Sequence, residues 1–280
     1  NSAINNAKNT LDKPSIIEIK TIIGFGALNQ GTHKVHGAPL GKEGGIKAKQ
    51  TYKWNYNEFE VPEEVYADFK NTTIKRGTDK YQEWDNNLKL YLEKYPEDYK
   101  TLLTYLNGEI DVDLTTILPS YEIGNTNATR NYSYECLNKV SKVIPNLIGG
   151  AADLTSSTKA ILKDEEALTT DNYTGRNIYF GVREFAMASI ANGIALHGGL
   201  KVFVSTFFVF SDYLKPAVRM AALMKLPVVY ILTHDSIAVG EDGPTHQPIE
   251  QLAMLRSIPN TLVLRPCDGN ETTACYNIAM

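Results

Sequence analysis

The sequence predicts an α/β protein: a parallel sheet flanked by helices, preceded by a partial α/β domain and a helical connecting segment. From about position 144 onward, short apolar runs alternate with stretches of helical period, which is the pattern of βαβ units. Upstream, residues 62–109 are charged and tyrosine-rich, with apolar residues at helical spacing. Between them lies a polar stretch with Pro119, Gly124 and several Asn and Thr residues, suited to a linker. The domain boundary is placed accordingly, with residues 1–120 before it and 121–280 after it.

Taken in order, PSIIEIKTIIGFG mixes β-branched residues with alternation and ends in glycines, which predicts a strand and then a tight loop running through GTHKVHGAPLG. EEVYADFKNTTIKR, YQEWDNNLKLYLEKY and YKTLLTYLNGE predict amphipathic helices with solvated charged faces. In the second domain, IPNLIGGAADL, NIYFGV, LKVFVSTFFVF, LPVVYILTHDSI and NTLVLRP predict strands, separated by helices such as REFAMASIANGIALHG and DYLKPAVRMAALMKL. Such alternation favours a parallel sheet covered on both faces, with ligands at the carboxyl ends of its strands.

Composition narrows the function. With 43% hydrophobic and 21% charged residues the chain belongs with soluble globular proteins, and its net charge of −4 gives no electrostatic reason to expect nucleic acid. Three cysteines, Cys136, Cys267 and Cys275, are an odd number with no CxxC spacing, and read as reduced thiols of a cytoplasmic protein. No apolar run reaches the roughly 18 residues that span a bilayer, and the polar opening is not a signal peptide, so no membrane is expected. The chain lacks an initiator methionine and stops at Met280 as ETTACYNIAM begins to read like a helix, so both ends read as cuts.

Four places could carry chemistry. THDSIAVGEDGPTHQPIE follows an apolar strand and precedes a helix; its histidines, acids and glycines suit a small-molecule site, or equally a turn-rich surface loop. Glu184 sits where a strand hands over to an apolar helix. The helix N-terminus and the apolar surroundings act on a carboxylate in opposite senses, which can poise it for proton transfer, while an ordinary first-turn glutamate looks the same. Phe207, Phe210 and Tyr213 recur every three residues, as an aromatic pocket or simply as core. GTHKVHGAPLG has two histidines but no third ligand at metal spacing, so a turn or a loop meeting a phosphate or sugar fits better than a metal site. GGAADLTSSTK could cap a helix or bind an anion through backbone N–H groups.

In this order, IIGFG, GTHKVHGAPLG, GGAADLTSSTK, GVREFAM, STFFVF, THDSIAVGEDGPTHQPIEQLA and RPCDGNE closely resemble the transketolase family over nearly the whole chain, GEDGPTHQP being the most specific. The resemblance implies a thiamine diphosphate-binding fold: the end of a diphosphate-binding domain with its helical linker region in residues 1–120, then a pyrimidine-binding domain, incomplete at its C-terminus, in 121–280. The implied reaction moves a two-carbon ketol unit from a ketose phosphate to an aldose phosphate.

Carried over residue by residue, Glu184 resembles the glutamate that hydrogen-bonds N1′ of the aminopyrimidine and favours its imino tautomer, which helps deprotonate thiazolium C2 to the carbanion. Phe207, Phe210 and Tyr213 match the pocket around the pyrimidine ring, and Asp153 and Leu154 lie nearer the cofactor. His36 matches a loop histidine near cofactor and substrate, and Asp242 and His246 match contacts to sugar hydroxyls. Arg130, Ser157 and His234 match positions that grip the substrate phosphate. Phe185 stands where some members carry histidine and others phenylalanine.

The family's GDG and asparagine motif, which binds Mg2+ (or Ca2+) and the diphosphate, would lie upstream of Asn1, so no metal ligand is expected in this chain. A further phosphate-binding arginine and a carboxy-terminal domain would follow Met280. Each site in this family forms between the two subunits of a homodimer. The isolated chain is therefore expected to expose an apolar dimer face, bind cofactor weakly and turn over little. The rivals are another thiamine diphosphate enzyme, such as deoxyxylulose-phosphate synthase or a 2-oxo acid dehydrogenase, and a non-catalytic transketolase-like module. GEDGPTHQP together with GTHKVHGAPLG weighs against the first, and intact Glu184, Asp242 and His246 against the second.

Overall fold

The computed structural model describes residues 1–110 and 112–280, which form two compact units, Asn1–Leu88 and Lys89–Met280. The first unit is helical. It contains α1 (Ser2–Asn9), a 3-10 turn at His33–Val35, α2 (Gly41–Tyr52), α3 (Glu63–Phe69), a π-helical turn at Lys70–Ile74 and the start of α4 (Lys75–Lys94), inside which the division between units falls. Pro62 at the N-cap of α3, with Glu63 and Glu64 in its first turn, provides the helix start that the charged sequence suggests.

The strand expected in PSIIEIKTIIGFG does not form: residues 13–22 carry no regular structure, and Ile16 and Ile19 are 96% and 75% exposed. A strand is stabilised by a neighbour's hydrogen bonds, and every described strand belongs to the second unit. The tight loop expected after it does form. Gly26 sits at φ +85°, a Cβ there would lie 2.8 Å from the Tyr52 ring, and the Tyr52 hydroxyl donates to the Phe25 carbonyl.

The second unit takes in α5 (Pro96–Asn107), α6 (Thr129–Val143), β1 (Leu147–Ala151), α7 (Thr155–Thr158), β2 (Asn177–Tyr179), α8 (Glu184–His197), β3 (Lys201–Phe207), α9 (Ser211–Met224), β4 (Val228–Thr233), α10 (Gln251–Arg256) and α11 (Gly269–Ala279). The strands form one parallel sheet in the order β2-β1-β3-β4, with Gly149 opposite Phe203 and Val204 opposite Tyr230. Their alternation sorts side chains to two faces. Val202, Val204, Tyr230 and Leu232 join one apolar cluster with α8, α9 and α10, whereas Leu147, Phe203, Val229 and Ile231 join another with α6 and α11. The sheet is thus sandwiched between helices, as the sequence predicts.

In β1 a Cβ on Gly149 or Gly150 would come within 2.0 or 1.9 Å of a neighbouring strand's carbonyl oxygen, so only glycine lets these strands pack. At the other end of the sheet, NTLVLRP is no strand: residues 261–266 lack ladder pairing, and a groove of about 730 Å³ separates them from β4. The apolar β-branched run supplies the propensity, and the missing partner removes the hydrogen bonds.

The helix α6 is held at both ends of its sequence neighbourhood. Arg176 donates to the Ser141 and Ile144 carbonyls (3.2 and 3.3 Å) and pairs with Glu165 at 2.5 Å, satisfying carbonyls at the C-terminus of α6. Against its flank, Ser133 Oγ lies 2.8 Å from the Tyr276 hydroxyl of α11. Because α6 begins at Thr129, this anchoring also fixes Arg130 in its first turn.

Candidate active site

The carboxyl ends of β1, β3 and β4 bring most of the sequence-predicted residues together in the second unit. β3 ends at Phe207 and passes through a 3-10 turn into α9, so that Phe207, Phe210 and Tyr213 form a ladder of rings. Phe207 and Phe210 are parallel within 4° with centroids 6.0 Å apart, and Phe210 and Tyr213 are also 6.0 Å apart at 28°. Only Phe207 is buried, so the spacing that fits either core or pocket produces a graded surface, from core at one end to a 63% exposed tyrosine at the other. His246 meets this ladder edge-on, 5.2 Å from Phe210 and 6.3 Å from Phe207. Its loop carries Gly240 and Gly243 at positive φ, and Asp242 is exposed beside them.

Immediately after β4, His234 adopts φ +56°, a conformation uncommon for a residue with a Cβ and one that collects at functional sites. Its ring stacks on Phe207 at 3.7 Å, its Nδ1 lies 2.9 Å from Thr233 Oγ1, and its Nε2 lies 2.9 Å from Arg130 Nη1. A guanidinium only donates, so Nε2 accepts and Nδ1 carries the proton of a neutral imidazole. Burial, and then the Arg130 charge, hold the His234 pKa below the ordinary histidine value, while Asp242 and Asp235 oppose the shift. The Nε–H of Arg130 is itself buried and has no partner among the described residues. Arg130 therefore presents donor capacity that an anionic oxygen would use, with His234 holding its guanidinium in place.

Glu184 opens α8, where the residue is 8% exposed and its carboxylate lies 3.5 Å from the buried Thr206 hydroxyl. A carboxylate with four lone-pair sites and one long hydrogen bond retains acceptor capacity. That acceptor capacity suits a ring nitrogen that carries a proton, as an aminopyrimidine's can. Asp153, at φ +58° beyond β1, is exposed and lines a separate cleft of about 770 Å³; Leu154 precedes α7 and Ser157 lies on it. The short helix α7 packs against β1, β3 and β4, which brings Ser157 to the strand ends. Neither this cleft nor the groove beside β4 is lined by Glu184, so the candidate site is defined by the chemistry of its side chains rather than by either hollow. His36 belongs to the first unit, exposed as the C-cap of the His33–Val35 turn, with its backbone N–H donating to the His33 carbonyl at 3.1 Å.

Sequence reasoning missed the supporting contacts. Arg265 pairs with Asp235 at 2.8 Å, and Gln251, 2% exposed, donates to both carboxylate oxygens of Asp212 at 3.1 Å while accepting from Ile249 N at 2.9 Å. These residues stood in the quoted motifs, but nothing in linear spacing pairs positions that are 30 and 39 residues apart.

Comparison with known proteins identifies the family. The transketolase pyrimidine-binding domain family matches residues 125–280, and the transketolase thiamine diphosphate-binding domain family matches residues 1–111. A transketolase of Geobacillus stearothermophilus is 52% identical over 280 residues, covering 99% of this chain and 42% of that protein; one of Bacillus subtilis is 52% identical over 281 residues, covering 100% and 42%. The chain thus spans about two fifths of the length of these curated relatives. Among solved structures, Pichia stipitis transketolase in complex with sedoheptulose-7-phosphate superposes with a TM-score of 0.91 at 42% identity, covering 99% of this chain and 42% of that one. Leishmania mexicana transketolase superposes with a TM-score of 0.92 at 39% identity, with the same coverages. Matched along both parts of its length, the chain belongs to the transketolase family.

Proposed function

We propose that the whole protein is a transketolase that moves a two-carbon ketol unit from xylulose 5-phosphate to ribose 5-phosphate or erythrose 4-phosphate, as in the pentose phosphate pathway. With ribose 5-phosphate the products are sedoheptulose 7-phosphate and glyceraldehyde 3-phosphate, so the carbon count is conserved. The observation that carries this reading is buried Glu184 at the start of α8, whose carboxylate has unspent acceptor capacity. When bound, thiamine diphosphate supplies a nucleophilic carbon and accommodates the electrons of the broken carbon–carbon bond.

Within this chain, Glu184 would hold a proton at the pyrimidine N1′, and Phe207, Phe210 and Tyr213 would stack against that ring, with Asp153 and Leu154 nearby. Arg130, His234 and Ser157 would bind the substrate phosphate. Asp242, His246 and His36 would fix the sugar hydroxyls, and His246 and His36 would assist proton movement. The support for the phosphate assignment is the unpartnered Arg130 Nε–H, on a guanidinium that His234 holds in place. A divalent cation, Mg2+ or Ca2+, belongs to the same proposal; its ligands would come from the GDG motif, which this sequence does not contain.

The division into a diphosphate-binding part, 1–120, and a pyrimidine-binding part, 121–280, is likewise proposed, supported by family matches that end at 111 and begin at 125. So is a homodimer, because α8 is apolar on its outer side as well as its inner one: Phe185, Ile190 and Leu196 are exposed, and Gly193 among them has no neighbouring atom within 4 Å. No described helix is long and apolar enough to cross a membrane, and a cytoplasmic location is proposed on the unpaired cysteines.

The test is ketol transfer by the full-length protein with thiamine diphosphate and magnesium. Glu184→Gln is expected to lower kcat by about a thousandfold or more with circular dichroism unchanged. A folded variant with near-normal activity would remove Glu184 from its role, and a full-length protein that binds cofactor without transferring the unit would remove the transketolase reading.

A further inference from the structure

We propose that Arg265 is a positioning residue for His234, acting as a two-point latch on the turn that follows β4; this rests on the phosphate-binding reading of Arg130 and His234. Arg265 Nε donates to Asp235 Oδ2 at 2.8 Å, and Nη2 donates to the Asp235 main-chain carbonyl at 3.1 Å. One guanidinium thus grips both the side chain and the backbone of the residue next to His234, a task for which its planar fork is suited and an ammonium is not.

The pair is partly solvated, with side-chain exposures of 46% and 38%, so its contribution to global stability is small and its value is geometric. His234 sits at φ +56°, where the backbone needs outside support. That support comes from two arginines. Arg130 reaches the imidazole from α6, while Arg265 reaches Asp235 from the segment leading into α11. The two helices are fastened together through Ser133 and Tyr276, and the turn between Arg265 and α11 is closed by Glu271, which accepts from Cys267 N at 2.7 Å, and by Asp268, which accepts from Glu271 N at 2.8 Å. Arg130 and Arg265 are therefore mounted on one packed body and hold neighbouring residues, so that the imidazole, the guanidinium of Arg130 and the aromatic face of Phe207 keep one relative geometry.

A general structural defect would depress turnover with every substrate, whereas a lost latch weakens only the grip on phosphate. In the full-length holoenzyme, Arg265→Gln is expected to raise KM for xylulose 5-phosphate about tenfold with kcat within about threefold. KM for a non-phosphorylated ketose donor is expected to stay within about twofold, and Arg265→Lys to recover only part of the loss. Equal changes for both donors, or none for either, would overturn the latch. Hydrogen exchange gives a reading independent of catalysis: amides of residues 235–239 are expected to exchange at least about fivefold faster in Arg265→Gln while those of α8 keep their rates. Unchanged exchange there would refute the proposal even if the parent enzyme proved to be no transketolase, whereas faster local exchange in an inactive parent would keep the latch and discard only its phosphate role.

Discussion

The two units of the chain put their apolar residues to opposite use. In the second, Phe203, Leu147, Leu137, Met187 and Leu214 are fully buried between a sheet and its helices. In the first, α1, α3 and the described helical turns bury no residue at all, and Ile16, Ile19, Phe59 and Tyr81 stand in solvent. Local rules formed helices in both, as the acidic first turns of α3 and α5 attest. Only in the second did strand pairing bring distant apolar runs together into a core. The contrast teaches that amphipathic period predicts an element, while burial depends on whether the chain supplies the opposing surface.

The sharpest test of this difference is a pair of truncations. Phe203→Ala, which empties the center of the sheet, is expected to destabilise the second unit by about 3–5 kcal/mol, read from the urea midpoint by circular dichroism. Ile19→Ala in the first unit removes a 75% exposed side chain and should stay within about 0.5 kcal/mol. Comparable losses from both would break the comparison by showing that the first unit's isoleucines are sequestered in solution.

The same logic explains how much of the molecule was legible beforehand. Strands β1 to β4 and helices α8 and α9 could be read because period, length and flanking glycines agreed. PSIIEIKTIIGFG and NTLVLRP had equal propensity, but strand formation requires a partner and propensity alone does not name one. At the site, spacing could not separate an aromatic pocket from core at Phe207, Phe210 and Tyr213; the family motif pointed to a pocket, and the ring ladder is compatible with both, buried at one end and open at the other. The contacts that support the site, Arg265 to Asp235 and Gln251 to Asp212, are tertiary and were invisible.

A smaller effect would sharpen the comparison from the surface of the second unit. Gly193 interrupts the exposed apolar stripe of α8 without any neighbour that requires glycine, and glycine in a helix interior is unfavourable by about 1 kcal/mol relative to alanine. If the stripe packs against a second copy, Gly193→Leu should leave the protomer folded, since it adds helix propensity, yet raise the dimer dissociation constant by at least about tenfold in sedimentation velocity of the full-length protein. An unchanged constant would remove this stripe from the dimer interface.

The smallest effect concerns pH and tests the buried polar end of the second unit. Burial and the Arg130 charge lower the folded His234 value, with Asp242 and Asp235 pulling it back and His246 adding to the decrease. Above the ordinary histidine value of about 6.5 the imidazole is neutral in both folded and unfolded chains and contributes no pH dependence. As pH falls through that value the unfolded chain takes up the proton first, so stability declines until the lower folded value is passed. His234→Asn suits the comparison because asparagine tolerates positive φ and cannot titrate. The variant should lose part of the acid-side slope of unfolding free energy just below about pH 6.5, and an identical slope in both proteins would show that His234 ionises as freely in the fold as in the unfolded chain.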